Sequence, residues 1–381
     1  MSDMDAAGPH SGLSTAKRAL LLRRIRGGSG AGEPAIRPRA ERGPAPLSFA
    51  QQRLWFLYRL EGGGAAYHLP AAFRLAGALD ADALERALGE VVRRHESLRT
   101  VVAERAGEPE QVVAPAAELR LAVEGLGGLP AAEREAAARR RVREESERPF
   151  DLERGPLFRA LLLRLGAEEH VLVLCVHHVV SDGWSMGVLF GELSALYGAF
   201  ARGEPSPLAE LPIQYADYAV WQREHLSGEV LERQLAYWTR RLAGAPSLLE
   251  LPTDRPRPAA QSFRGARLRF ELPAGLVDAL GELARREDAT LYMVLAAAFQ
   301  LLLSRWSGQE DLVVGTPVAG RTHPETEGLI GLFANTLALR GDLSGEPTFR
   351  ELLGRVRESA LGAFAHQDLP FEKLLEELDV E

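Results

Sequence analysis

The stretch at residues 171–185, Val-Leu-Val-Leu-Cys-Val-His-His-Val-Val-Ser-Asp-Gly-Trp-Ser, constrains the fold of this chain more than any other. Its first six residues are apolar, partly β-branched and free of Gly and Pro, which predicts a fully buried strand. Two histidines follow at once, His177 and His178. Asp182-Gly183 then gives a tight turn, because Gly tolerates backbone angles that a side chain forbids.

The two adjacent histidines are expected to have different roles. Successive side chains of a strand point to opposite faces, so His177 and His178 cannot both enter one cavity. Divergence of the two rings, with no third or fourth ligand close by, disfavours a metal site. Imidazole titrates near neutrality and suits acid–base chemistry. The alternative is a hydrogen-bonded core histidine beside an ordinary turn. The pattern instead favours one histidine with a structural role and one in the active site.

Composition excludes several classes of protein. The 381 residues are 46% apolar and 26% charged, which describes a globular chain large enough for one large or two ordinary domains. A net charge of −8 argues against nucleic acid as a partner. Cys175 is the only cysteine, so an intrachain disulfide is excluded, and its apolar strand favours inert filler over a catalytic thiol. No signal peptide or membrane-spanning run is seen, so the predicted location is cytoplasmic.

The order of the segments predicts a flexible beginning and an α/β remainder. Residues 1–46 are expected to be flexible, with a short basic helix at 14–26 followed by a linker rich in Gly, Pro and Arg. A helix capped by Ser48 opens the folded part. Further predicted elements are helices at 80–96, 130–147, 184–200, 229–242, 274–287 and 291–306, and strands at 67–76, 157–165, 170–178, 266–271 and 311–318.

Six short motifs together resemble a known family. His177-His178-Val179-Val180-Ser181-Asp182-Gly183-Trp184-Ser185 is similar to the core motif of condensation domains in nonribosomal peptide synthetases, which belong to the chloramphenicol-acetyltransferase-like superfamily. The other five motifs, in the order of that family, lie at 48–57, 94–100, 215–221, 330–340 and 366–372. The chain departs from the usual pattern at Val102, where Phe is usual, and at Ala334, where Val is commoner. Without the family, 94–100 would be read as an ordinary charged helix end and the aromatics of 215–221 as core.

The resemblance implies an α/β (α+β) fold of two chloramphenicol-acetyltransferase-like lobes in a V-shaped pseudo-dimer. We expect the N-terminal lobe at 47–206 and the C-terminal lobe at 207–381. Such domains continue past the sixth motif with an Arg-Asp-x-Ser motif, a strand and a helix. The second lobe is therefore expected to be truncated and incomplete.

The resemblance also implies a reaction and its partners. Donor and acceptor peptidyl carrier proteins would insert 4'-phosphopantetheine arms into a tunnel between the lobes, with an adenylation domain adjacent in the synthetase. The amine of the acceptor aminoacyl thioester would attack the donor acyl or peptidyl thioester, and the new amide would stay on the acceptor arm. No metal, no redox cofactor, no nucleic acid and no membrane are expected to take part.

Residue roles are carried over by motif position. His178 is the expected catalytic residue, taking a proton from the attacking amine or hydrogen-bonding the tetrahedral intermediate. Gly183 is expected to leave room for the donor arm and to offer its backbone N–H to the oxyanion. His177 is assigned to the scaffold. The residues expected to line the substrate tunnel are Ser181, Trp184 and Asn335.

Asp182 is expected to hold its loop through a buried ion pair rather than to contact substrate. Its partner must be an arginine from elsewhere in the fold, with Arg321 favoured and Arg340 second. Two other functions stay open. An epimerization domain shares the core motif, although 48–57 and 330–340 look more like condensation. A non-catalytic platform that recruits carrier proteins or tailoring enzymes is the third interpretation, favoured by the missing C-terminal motif and disfavoured by intact His178, Asp182 and Gly183.

Overall fold

The structure is a computed structural model that describes residues 35–116, 119–258 and 265–378. The basic helix predicted at 14–26 lies outside these residues. The described chain forms two compact units. The first unit holds the residues up to 227 together with 319–334, and the second holds 228–318 and the residues from 335 onward. The lobe limits given above, the V-shaped arrangement and the incompleteness of the second lobe stay predictions.

The first unit is built around two sheets. Its elements in chain order are β1 (Ala45–Pro46), α1 (Phe49–Glu61), β2 (His68–Ala76), α2 (Ala81–Arg94), β3 (Thr100–Arg105), β4 (Glu108–Val113), β5 (Ala122–Gly125), α3 (Ala131–Glu147), β6 (Phe158–Arg164), β7 (Glu169–His177), α4 (Gly183–Ala201) and α5 (Tyr215–His225). One sheet has the strand order β1-β4-β3 and the other β2-β7-β6-β5. All pairings are antiparallel except β5 with β6.

Strand β7 is the centre of the larger sheet. It pairs with β2 on one side and β6 on the other, so its backbone groups are hydrogen-bonded along its length. Its side chains from His170 to His177 are all buried. The prediction of a strand buried on both faces, next to the strand at 157–165, is confirmed. The pair of histidines therefore emerges from the most constrained part of the unit.

Local signals fix the helices that surround this strand. Ser48 caps α1 in a capping box with Gln51, whose side chain accepts from the Ser48 backbone N–H. Asp80 caps α2 by accepting from the Ala83 N–H. Leu84 and Leu88 of α2 are buried in the same core as β7.

The second unit combines a two-stranded sheet with five helices among the described residues. Its elements are α6 (Gly228–Leu242), α7 (Ala274–Arg286), α8 (Leu291–Ser307), β8 (Asp311–Val318), β9 (Asn335–Asp342), α9 (Phe349–Ala365) and α10 (Phe371–Leu378). Strands β8 and β9 are antiparallel. Helices α8 and α9 share an apolar core to which Val294 and Val356 contribute.

One predicted strand is wrong. Residues 266–271 adopt no regular structure, although their sequence alternates as a strand would. Leu268 and Phe270 are 89% and 80% exposed. A strand is stabilised by backbone hydrogen bonds to a neighbour, and no described strand pairs with this segment. In the described ranges no single helix is long and apolar enough to cross a membrane, and α7 with α8 reaches that length and hydropathy only as a pair bent by 103°.

Candidate active site

His177 is the buried histidine of the pair. It lies opposite His68 of β2, and its Nδ1 accepts a hydrogen bond of 3.1 Å from the Val179 backbone N–H. Its ring contacts His68 and Phe150 edge-on, with centroids 6.0 and 5.8 Å away. Burial, with smaller contributions from the neighbouring His68 and His178, lowers the pKa of His177 to about 3. His177 is therefore neutral at pH 7, and its contacts fit the scaffold role predicted for it.

His178 is the partly exposed histidine, and its tautomer is set by one backbone contact. It opens a single 3-10 turn, His178–Val180, directly after β7. Its Nδ1 lies 2.7 Å from the Ser181 carbonyl oxygen, and the Ser181 N–H donates back to the His178 carbonyl at 3.2 Å. A carbonyl oxygen only accepts, so Nδ1 carries a proton, and in the neutral ring the lone pair lies on Nε2. The ring is thus oriented with a basic nitrogen away from the turn.

Asp182 is buried and accepts hydrogen bonds on both carboxylate oxygens. It caps α4, with Oδ1 accepting from the Ser185 backbone N–H at 2.8 Å and lying 2.7 Å from Ser185 Oγ. Oδ2 accepts from the backbone N–H groups of Phe333 and Ala334 at 2.9 and 3.2 Å. All four contacts are internal to the first unit. The carboxylate therefore joins the start of α4 to the segment 319–334, which we call the crossover segment because it lies between β8 and β9 in the chain.

Arg321 of the crossover segment pairs with Asp182. Its Nη2 lies 3.3 Å from Asp182 Oδ1 and donates to Ser185 Oγ at 2.8 Å, and the two ionic side chains are 2% and 1% exposed. Nη1 donates to the Thr326 carbonyl oxygen, and the guanidinium lies 4.1 Å from the ring centroid of Phe333. Burial lowers the pKa of Arg321, and Asp182 opposes that effect.

Arg340, the second candidate partner, does not pair with Asp182. It lies on β9 and its Nη2 contacts Asp311 Oδ2 at 2.6 Å. The sheet register explains this pairing, because Arg340 is opposite Val313 and Asp311 lies two residues away on the same face. In the described structure Arg340 therefore belongs to the second unit's sheet and not to the carboxylate at Asp182.

Further residues hold the crossover segment, and two of them, His95 and Ser97, carry no role predicted from the sequence. His95 Nδ1 accepts from the Ile330 N–H at 3.2 Å, and Ser97 Oγ donates to the Ile330 carbonyl oxygen at 2.7 Å. Tyr215 Oη donates to the Leu332 carbonyl oxygen at 2.6 Å. Residues from the second, third, fourth and fifth motifs thus meet at one stretch of backbone.

Two glycines of the crossover segment are required by close approach. Gly320 has a φ of +63°, and a Cβ there would lie 1.9 Å from the Phe333 carbonyl oxygen. A Cβ on Gly331 would lie 2.0 Å from Cδ2 of Tyr215. Any side chain at either position would displace the backbone that Asp182 and Tyr215 bind.

Glu192 is a partly buried acid that the sequence analysis did not single out. It makes a two-point ion pair with Arg94, with both N···O distances 3.0 Å, and lies 3.0 Å from His95 Nε2. Burial favours a higher pKa for Glu192, but the hydrogen bonds from His95 and Arg94 outweigh it and lower the pKa to about 2. A signal existed in the sequence, because Glu192 is the only charged residue of α4.

The remaining predicted site residues of the first unit have varied surroundings. Gly183 is the first residue of α4, and a Cβ there would meet no atom within 4 Å. Ser181 is buried, with Oγ 3.8 Å from Met186 Sδ. Trp184 Nε1 donates to the Glu327 carbonyl oxygen at 3.0 Å. Burial raises the pKa of the Cys175 thiol to about 11, so the thiol stays protonated and inert.

Asn335 lies in the second unit and holds the sixth motif. Its Nδ2 donates to the carbonyl oxygens of Gln367 and Leu369, both at 2.8 Å. Its Oδ1 accepts from the backbone N–H groups of Thr336 and Phe371 at 2.8 and 3.0 Å. The amide is thus engaged in internal bonds on both of its polar atoms. Its placement in a substrate tunnel stays a prediction.

A mixed α/β fold whose central strand ends in two histidines, with a following aspartate locked to a distant arginine, defines a chloramphenicol-acetyltransferase-like protein. The chain belongs to the condensation-domain family of nonribosomal peptide synthetases, since the family model described as "Condensation domain" matches residues 41–381. Domains of this family work with carrier-protein and adenylation domains, and they are generally acyltransferases.

Similar proteins agree with this assignment. One of the linear gramicidin synthase proteins of Brevibacillus parabrevis is 58% identical over 336 residues, which is 88% of this chain and 4% of that protein. The chain therefore spans a small part of the curated relatives it matches. Among solved structures, the X-domain from teicoplanin biosynthesis has a TM-score of 0.82 at 36% identity, covering 91% of this chain and 76% of that chain. The X-domain has also been solved in complex with OxyB.

The first condensation domain of the CDA synthetase is a second solved structure of this kind. It has a TM-score of 0.73 at 26% identity, covering 88% of this chain and 79% of that chain. The recognition made from the six motifs is confirmed, and so is the expected fold class. The chain is similar both to condensation domains and to an X-domain, and both similarities are used in the proposal that follows.

Proposed function

We propose that this condensation domain forms amide bonds between two carrier-bound thioesters. The amine of an acceptor aminoacyl thioester attacks the carbonyl carbon of a donor acyl or peptidyl thioester. A C–N bond forms, the C–S bond breaks, and the donor arm leaves as a thiol. The elongated chain stays on the acceptor arm. Because the donor thioester is already activated, no external activator or redox step is required.

One observation carries this proposal, the orientation of His178. Its Nδ1–H is held by the Ser181 carbonyl oxygen, which leaves the Nε2 lone pair available on a partly exposed ring. We assign Nε2 to accept a proton from the attacking amine and to return it to the leaving thiolate. An imidazole that accepts and then returns one proton is back in its starting protonation state after each turnover.

Gly183 is assigned to the oxyanion. Its backbone N–H belongs to the first turn of α4, where N–H groups have no partner within the helix and the positive end of the helix dipole favours negative charge. The open space beside its Cα would admit a thioester arm. Asp182 and Arg321 would hold this turn in place without touching substrate.

Single-turnover condensation tests the proposal. Donor and acceptor carrier proteins, each loaded with a thioester, are mixed with the domain, and intact-protein mass spectrometry follows the acyl mass. We expect transfer to the acceptor carrier, slowed about 100-fold or more in His178→Ala, the usual range for loss of a general base. His225→Ala, on α5 of the same unit, is the matched control and should transfer at the wild-type rate. Near-normal transfer by folded His178→Ala would remove the catalytic role.

Similarity to the X-domain favours a second candidate, a non-catalytic platform that recruits a partner protein. The X-domain was solved bound to OxyB, so a domain of this fold can bind a further protein. Absence of transfer by folded wild-type protein that still binds loaded carriers would support the platform. Chiral analysis of the aminoacyl group on a single loaded carrier separates both from epimerization, which alone would invert the α-carbon.

A further inference from the structure

The first unit contains a cavity of about 540 Å³. No residue of 177–185 or of the crossover segment lines it. Its walls are apolar, with contributions from Val92, Leu98, Leu119 and Phe158. A volume of this size is typical of sites for small organic molecules. The ionisable residues that line it are all arginines, namely Arg99, Arg120, Arg148, Arg154 and Arg159.

The carboxylates that the structure describes near this arginine cluster do not neutralise it. Glu145 lies 2.5 Å from Arg159 and 3.5 Å from Arg148. Glu96 is 3.6 Å from Arg99, and Asp151 is 3.8 Å from Arg154. Arg120 forms no ion pair with any described residue. Among the described residues, three carboxylates therefore pair with four of the five guanidiniums, which leaves an excess of positive charge at a cavity with apolar walls.

The arginines fall into a fixed floor and an open rim. Arg159 is mostly buried, bonded to Glu145 and stacked 3.7 Å from the ring centroid of Phe150. Arg99 is held through Nη1 by the Ala114 carbonyl oxygen, while its buried Nε has no hydrogen-bond partner. Arg120, Arg148 and Arg154 are exposed. A preoriented floor and an exposed rim of guanidinium groups can both contact an anion whose apolar atoms pack against the walls.

We propose that this cavity binds an organic phosphate monoester with an apolar body. A phosphate monoester carries a charge near −2 at pH 7, which matches the excess of positive charge, whereas a carboxylate carries −1. The planar guanidinium groups are suited to bidentate contacts with phosphate oxygens. The apolar body accounts for walls that inorganic phosphate alone would leave unfilled. This site is independent of the proposed amide-forming reaction.

Calorimetric titration of the full chain with phenyl phosphate tests the assignment. Inorganic phosphate lacks the body, benzyl alcohol lacks the charge, and benzoate has one negative charge. We expect phenyl phosphate to bind at least about tenfold tighter than each of the three, because charge-assisted hydrogen bonds and apolar burial both contribute. Equal binding of phenyl phosphate and inorganic phosphate, or tighter binding of benzoate, would overturn the proposal.

Matched variants locate the site. Arg148→Gln removes a lining charge and should weaken phenyl phosphate binding about tenfold. Arg140→Gln is its control, because Arg140 is 65% exposed against 64% for Arg148, also contacts a glutamate of α3, and does not line the cavity. Ala114→Leu fills the cavity at constant charge and should also weaken binding, with thermal unfolding used to verify its fold. Equal affinity in Arg148→Gln and Arg140→Gln would refute the location.

Discussion

Replacing Asp182 tests the claim that the carboxylate is a structural clamp. Asp182→Ala removes the acceptor for both Ser185 contacts and for two backbone N–H groups of the crossover segment. It also leaves the guanidinium of Arg321 buried without its counter-ion. Breaking a buried ion pair on one side costs about 3–5 kcal/mol, and loss of a helix N-cap costs about 1 kcal/mol.

These two costs overlap, because one carboxylate makes all of the contacts. We therefore expect the free energy of unfolding to fall by about 4 to 5 kcal/mol. Folded domains are stable by about 5–15 kcal/mol, so Asp182→Ala should give much less soluble protein. Asp182→Asn should cost nearly as much, since either orientation of its amide directs an N–H group at existing donors.

Urea unfolding followed by circular dichroism measures the effect, and a double-variant cycle with Arg321→Met isolates the ion pair. If the two buried charges stabilise each other as described, Arg321→Met should be about 2 kcal/mol less destabilising in the Asp182→Ala background than in the wild type. Additive effects within about 0.5 kcal/mol would refute the ion pair as the source of the stability. A stable but inactive Asp182→Ala variant would instead assign Asp182 to the chemistry.

Two further predictions concern pH and packing. The pKa of His177 is about 3 in the folded protein, below the 6.5 of a free histidine. As the pH falls below 6.5, His177 therefore binds a proton in the unfolded chain but stays neutral in the folded protein. Stability should therefore fall by about 2 kcal/mol between pH 7 and pH 5, and His177→Gln should lose this component; equal pH slopes in urea unfolding for both proteins would contradict it. Gly331→Ala should destabilise the protein by about 2 kcal/mol through overlap with Tyr215, whereas Gly328→Ala, whose Cβ would meet open space, should be near neutral in thermal unfolding; similar melting temperatures for the two variants would show that the crossover segment is not tightly packed.

The sequence predicted the elements around His177 and His178 because local rules operate there. The apolar run before His177 is short, partly β-branched and free of Gly and Pro, which favours a buried strand. Ser48 lies directly before α1 and caps it, as predicted. In these cases the signal and its physical cause lie within a few residues of each other.

The expectations that the structure did not support depend on contacts between distant parts of the chain. Alternating apolar residues around Leu268 satisfied the strand pattern, but a strand also needs a partner, and the pattern says nothing about one. Arg340 was kept as a second partner for Asp182, because sequence alone cannot exclude an arginine 158 positions away. The register of β8 and β9 gives it to Asp311 instead.

What the sequence by itself determined was the family and the strand that leads to His177 and His178, since the apolar run that forms this strand is a local pattern. Only the tertiary structure decided which groups meet. The tautomer of His178, the burial that lowers the pKa of His177, and the convergence of four motifs on the backbone of 330–334 depend on contacts between distant residues. Such contacts arise from packing a whole core, so no local pattern encodes them.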